Sequence, residues 1–170
     1  MTNTKTERQL VGAYLDVQNI YYTVKQQYNA HFNYQSFMKE YLKGKDFGFA
    51  IAFATNKNDK NQKCFQGLLR SYGYQVKLID YILRQDQSAK ADWDVGITLE
   101  IMNDLPRLKK LILVSGDGDF AFVVESLKKR KNVEVVVVGV AELTAAKLIQ
   151  HADEFIPIKD DLLLPIPNKW

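Results

Sequence analysis

Leu111-Ile112-Leu113-Val114-Ser115-Gly116-Asp117-Gly118-Asp119-Phe120 joins an apolar run to a small, acidic turn. Four apolar residues in a row read as a strand buried on both faces, as in the interior of a parallel sheet. The small and acidic residues after them lead into a helix with Phe120, Val123, Val124 and Leu127 as its apolar stripe. The chain start has the same arrangement: Leu10-Val11-Gly12-Ala13-Tyr14-Leu15 runs into Asp16 and Asn19. Open α/β sheets bind ligands just past the carboxyl ends of their strands, so both acidic groups belong to that rim. Carboxylates gathered there repel one another unless a divalent cation sits between them.

On either side of this stretch, short β-rich runs alternate with amphipathic segments. Asn19 to Tyr28 and Tyr34 to Leu42 read as helices, and Phe49 to Ala54 as a central strand. Phe65, Leu68, Leu69 and Tyr72 form a helical stripe that Gly73 closes as a C′ residue. Val76 and Leu78 alternate with polar neighbours, as in a strand nearer an edge. Asp92 reads as the N-cap of a helix with Val95, Leu99 and Met102 turned inward. Val133 to Val138 is a β-branched strand, Glu142 to Gln150 a helix, and Glu154 to Pro157 a short edge strand.

This alternation predicts a three-layer, doubly wound α/β fold, with a mainly parallel sheet and helices on both faces. An order of 3-2-1-4-5, counting the five main strands in sequence, makes the first and fourth strands neighbours and joins the two acidic groups in one crevice. Residues 1–9 read as a polar extension, 10–158 as the domain and 159–170 as an irregular tail.

Composition narrows the function. A chain of 170 residues with 46% apolar content can bury a substantial single core. Net charge +3 and a pI near 8.8 permit a nucleic-acid partner without requiring one. One cysteine, Cys64, excludes an internal disulfide, and with only His31 and His151 no structural zinc site can be assembled. Met1 to Gln9 has no apolar signal-peptide core and no run approaches a membrane span, so a cytoplasmic location with no membrane partner is expected.

A third segment, Lys90-Ala91-Asp92-Trp93-Asp94, opens a helix after the third strand and brings Asp94 toward the same rim. The candidate metal ligands and catalytic residues are therefore Asp16, Asp94, Asp117 and Asp119, with Asn19 as a neutral oxygen or amide partner. Oxygen donors without His or Cys suit Mg²⁺ or Mn²⁺. Each acid alone has a simpler reading: Asp16 as a turn or cap residue, Asp92 as a cap, and Ser115, Asp117 or Asp119 capping the helix near Phe120. Three segments supplying acids to one rim favour the metal site. Asp117-Gly118-Asp119 is not a calcium loop, because Ala121 and Phe122 stand where an oxygen ligand and glycine are needed. No phosphate-binding glycine motif follows a strand, and Ser115 has no nearby histidine base.

Asp16-x-x-Asn19, the Lys90 to Val95 segment and Ser115-Gly116-Asp117-Gly118-Asp119-Phe120 together resemble the NYN domain of LabA-like proteins, in the PIN-like nuclease superfamily. The resemblance spans roughly residues 10 to 157, with the serine-glycine-aspartate element its most specific part. It implies a divalent-metal ribonuclease in which water attacks the RNA phosphodiester. Asp16, Asp94, Asp117 and Asp119 would be ligands and Asn19 would orient one of them.

Lys57, Lys60, Lys63 and Arg70 surround the helix after the second strand, where Lys57 and Lys60 can meet phosphates or simply be solvated. Lys128 to Lys131 lies at a helix C-terminus, where cations are favoured anyway. Lys90, Ser115, Trp93 and Asn19 are the candidate substrate contacts; Trp93, Tyr21 and Tyr22 can stack bases or serve the core. Cys64 reads as structural. RNA is the expected partner, and a homodimer stays open. The alternative function is a non-catalytic RNA-binding or regulatory adaptor on the same fold. Toprim-like and dehalogenase-type phosphatase readings fit less well, since the first strand ends in Asp16 with Gln18 two residues on.

Overall fold

The computed structural model describes residues 10–44, 46–57, 59–80, 93–130 and 132–167. Six parallel strands form the central sheet: β1 (Leu10–Asp16), β3 (Phe47–Asn56), β4 (Gln75–Asp80), β5 (Leu108–Val114), β6 (Glu134–Gly139) and β7 (Glu154–Pro157). Their order is β4-β3-β1-β5-β6-β7. Counted among the large-sheet strands alone, this is the expected 3-2-1-4-5 with a sixth strand added at one edge. Two further short strands, β2 (Ala30–Phe32) and β8 (Leu163–Pro165), make a separate antiparallel pair.

Helices cover both faces because the central strands are apolar on both. One face packs Ala13, Leu15, Ala50 and Val114 under α1 (Val17–Tyr28), α2 (Tyr34–Tyr41) and α3 (Lys60–Ser71). The other packs Tyr14, Phe53, Leu111 and Leu113 under α4 (Asp94–Asp104), α5 (Ala121–Arg130) and α6 (Ala146–His151). The chain lays its first three helices on one face and its last three on the other, so β1 and β5 meet at the switch between them.

Helix ends follow local chemistry. α1 begins two residues earlier than its periodicity suggests, because the Asp16 side chain caps it. α3 ends as expected: Gly73 takes φ +101°, and the Gly73 and Tyr74 N–H groups donate to Arg70 O and Leu69 O in a Schellman motif.

Four expectations are corrected. In α4 the buried residues are Ile97 and Ile101, while Val95 and Leu99 are exposed; the helix carries two apolar stripes, and the sheet accepts the one continuing into Leu105. The expected helix 142–150 divides into a 3-10 turn, Ala141–Leu143, and α6, because the Ala145 N–H donates to Gly116 O and the Thr144 hydroxyl to Val140 O. The tail expected to be irregular contains β8, paired through Phe32 and Leu163. Cys64, expected to be structural, is exposed on α3.

Tyr14, Tyr34 and Tyr74 are buried, and burial pushes all three phenols well above their ordinary value of 10.0. The Tyr14 hydroxyl donates to Asp104 at 2.7 Å, and that carboxylate raises it further. The unfolded chain ionises these phenols near pH 10 and the folded chain does not, so the stability they confer is whole below that pH and declines above it. Denaturant unfolding followed from about pH 8 to about pH 11 will show a midpoint falling above pH 10.

Candidate metal centre

Strand register brings the first acid to the loop that carries the others. Leu15 pairs with Val114 in the parallel β1–β5 ladder, so the residues after them, Asp16 and Ser115, emerge side by side. The buried Ser115 hydroxyl donates to Asp16 Oδ2 at 3.3 Å and accepts the Asp117 N–H at 3.2 Å. Asn19 Oδ1 accepts the Gly116 N–H at 2.9 Å. Asp16 Oδ1 accepts the Asn19 N–H at 3.2 Å, which caps α1. The start of α1 and the 115–119 loop are thus one hydrogen-bonded unit.

Within that loop Asp117 Oδ1 accepts the Asp119 N–H at 3.0 Å and caps the 3-10 turn Gly118–Phe120. The third acid arrives from α4. Its N-cap residue, Trp93, donates its indole N–H to Ala54 O at 3.0 Å and meets the Phe53 ring edge-on, with centroids 5.2 Å apart. A Cβ on Gly96 would stand 2.6 Å from the indole, so glycine is what lets Trp93 lie along the first turn. Pinned to the end of β3 in this way, Trp93 fixes the position of Asp94, the first residue of α4.

The outcome is a cluster. One carboxylate oxygen from each of Asp94, Asp117 and Asp119 lies within 4.8 Å of the other two. Asp94 and Asp117 are half-buried and Asp119 is exposed. At the separation limit each ionised pair repels by about 1 kcal/mol in water and about 3 to 4 kcal/mol at an effective dielectric of 20. Three oxygens gathered within that limit, with no nitrogen or sulfur among them, suit a hard cation. The residues fit a divalent ion.

Residues 11–160 match the NYN domain. The chain belongs to the NYN domain family. A crystal structure of a protein of unknown function from Vibrio parahaemolyticus RIMD 2210633 is similar to it, with 43% identity and a TM-score of 0.86, over 96% of this chain and 100% of that one. The low amplitude and bright protein LabA of Synechococcus elongatus is 28% identical over 110 residues, 61% of this chain and 59% of LabA. The chain therefore spans about three-fifths of that relative.

In this NYN domain the four aspartates singled out in the sequence do not stand equally. Asp94, Asp117 and Asp119 form the cluster; Asp16 is buried and joined to Asp117 through Ser115. The simpler reading of Asp16 and Asp117 also holds, since each caps a helical turn while belonging to the site. Ser115 is only 1% exposed, and its hydroxyl joins two protein groups, so it positions acids. Asn19 spends its side-chain oxygen on the Gly116 amide. Lys90 and Asp92 lie outside the described residues. Tyr21 and Tyr22 are exposed rather than core. Among the described residues, no helix is long and apolar enough to cross a membrane.

Sequence reading missed the scaffold: Gly96 under Trp93, the Ala54 carbonyl, and the 143–145 loop behind Gly116. A Cβ on Gly116 would meet Thr144 Oγ1 at 2.9 Å and the Leu143 carbonyl at 3.1 Å. Only the bare Gly-Asp-x-Asp spacing hinted at this close approach. Gly116→Ala will therefore displace the loop, and Asn19→Ala will leave the Gly116 N–H without its partner, at a cost of roughly 1 to 3 kcal/mol. Thermal unfolding checks the cost, and a weaker response to added Mn²⁺ in both variants checks the link to the acids.

Proposed function

We propose that this NYN domain is a metal-dependent ribonuclease that hydrolyses RNA phosphodiester bonds at the acidic cluster. The observation that carries the reading is the convergence of Asp94, Asp117 and Asp119 from two separate segments within 4.8 Å. Membership of the NYN family and its PIN-like relationship supports the choice of RNA over other phosphate esters.

Asp94, Asp117 and Asp119 would hold Mg²⁺ or Mn²⁺. A divalent ion so held offsets charge on the phosphate and leaving oxygen and makes water a stronger acid. The chain's own part is to keep three like charges together before substrate arrives. Trp93 holds the start of α4 against β3, and the macrodipole of α4 favours the carboxylate in its first turn. Ser115 orients Asp16 and the Asp117 backbone, and Asn19 keeps the loop from swinging off the sheet. Asp16, buried, serves the cluster through its bond to Ser115.

The test is cleavage of a short single-stranded RNA with Mn²⁺, with a chelator, and with Asp117→Asn. Chelation should abolish turnover, and Asp117→Asn should lower it roughly a hundredfold or more. Ser115→Ala, which touches no substrate, should lower it by roughly ten- to a hundredfold, as loss of an outer support does. Activity indifferent to chelator and to Asp117→Asn refutes the reading. RNA binding with no turnover under any divalent ion favours the adaptor instead.

A further inference from the structure

A cavity of about 630 Å³ opens on the α1–α3 side of the sheet. Val17 and Gln18 in its wall follow Asp16 directly, and Ala54, also in the wall, carries the carbonyl that anchors Trp93. Its size falls within the roughly 300 to 1,000 Å³ usual for small-molecule sites.

The inner wall is built from fixed aromatic rings. Tyr34 meets Phe32 and Phe65 edge-on, with centroids 4.9 and 5.5 Å apart, and its carbonyl accepts the Tyr74 hydroxyl at 2.7 Å. The outer wall is aromatic too, but open: Tyr21 and Tyr22 are 42% and 57% exposed. The Tyr21 ring lies 24° from parallel with the His31 imidazole. Gln18, Thr55 and Gln62 add amide and hydroxyl groups, and Lys57 adds a cation. Leu164, brought in by the β2–β8 pair, completes the wall.

Flat rings combined with amides match a heterocyclic base, whose faces stack and whose edges both donate and accept hydrogen bonds. A lysine beside such a slot suits the adjoining phosphate. We propose that this cavity holds one unpaired nucleobase of the RNA strand whose backbone crosses the acidic cluster. The proposal rests on the ribonuclease reading for the identity of the strand, and it specifies the substrate as single-stranded. A base paired within a duplex keeps its faces stacked and its edge occupied, so it cannot enter.

The experiment measures binding under chelator, where no turnover occurs, so that it is independent of catalysis. Fluorescence anisotropy reads a short labelled single-stranded RNA and the same RNA in duplex; calorimetry reads AMP and UMP. The proteins are wild type, Tyr22→Ala and Leu68→Trp. Leu68 lines the cavity and is 48% exposed, so an indole there fills the opening without entering the core. Tyr22→Ala removes an exposed ring and guards against a folding defect in the other variant. The single strand should bind about tenfold or more tighter than the duplex, and both variants should remove that advantage. Single-strand binding unchanged in both variants, or equal to duplex binding, overturns the base site even where cleavage persists. Variant-sensitive single-strand binding without any cleavage leaves the base site standing and removes the nuclease reading. Variant-sensitive binding of AMP or UMP without binding of the RNA overturns the strand as the source of the base.

Discussion

The seam between β1 and β5 positions the loop that carries Asp117 and Asp119. Two parallel strands distant in sequence pair so that Leu15 stands beside Val114. The chain beyond each is then held by Ser115 to Asp16 and by Gly116 to Asn19. A hydroxyl and an amide, both short and both buried or half-buried, cannot stretch to a shifted register. A slip by one residue would turn every alternate side chain to the opposite face and separate these partners. The sheet's apolar packing therefore sets the distance between the acids, although none of the acids belongs to the core.

The acids are also a cost to the fold. Three carboxylates within 4.8 Å oppose their own assembly, and the domain offsets that repulsion with apolar and hydrogen-bonded supports. Trp93 is the clearest of these. Its ring covers Gly96, its edge meets Phe53, and its N–H reaches Ala54, so α4 starts where β3 ends. The same β3 terminus contributes Ala54 and Thr55 to the lining of the aromatic cavity. The acidic cluster and the cavity are thus both tied to the end of β3.

Much of this was legible in the order of residues. Apolar runs bounded by polar turns identified the large-sheet strands, and the stripe of Phe120, Val123, Val124 and Leu127 is buried as its spacing requires. Gly73 closed α3 because only a residue tolerant of positive φ fits that C′ position. Where periodicity failed, two faces of one element were equally apolar. In α4, Ile97 and Ile101 won over Val95 and Leu99 because of where the sheet lies, which no local pattern encodes. The tail failed for a related reason: a three-residue strand carries little signal until Ala30–Phe32 stands opposite it.

The order of residues was enough for the α/β class, the rim to which acids would go, and the residue types able to hold a hard cation. Those depend on short-range chemistry: hydrophobic period, strand length, turn residues and ligand hardness. Packing of distant segments brought Asp94 to Asp117 and Asp119, set Asp16 against Ser115, and closed rings from α1, β2, α2 and α3, with Leu164 from the tail, around a cavity. These are facts of distance between segments far apart in the chain, and distance is set only when both faces of the sheet are packed.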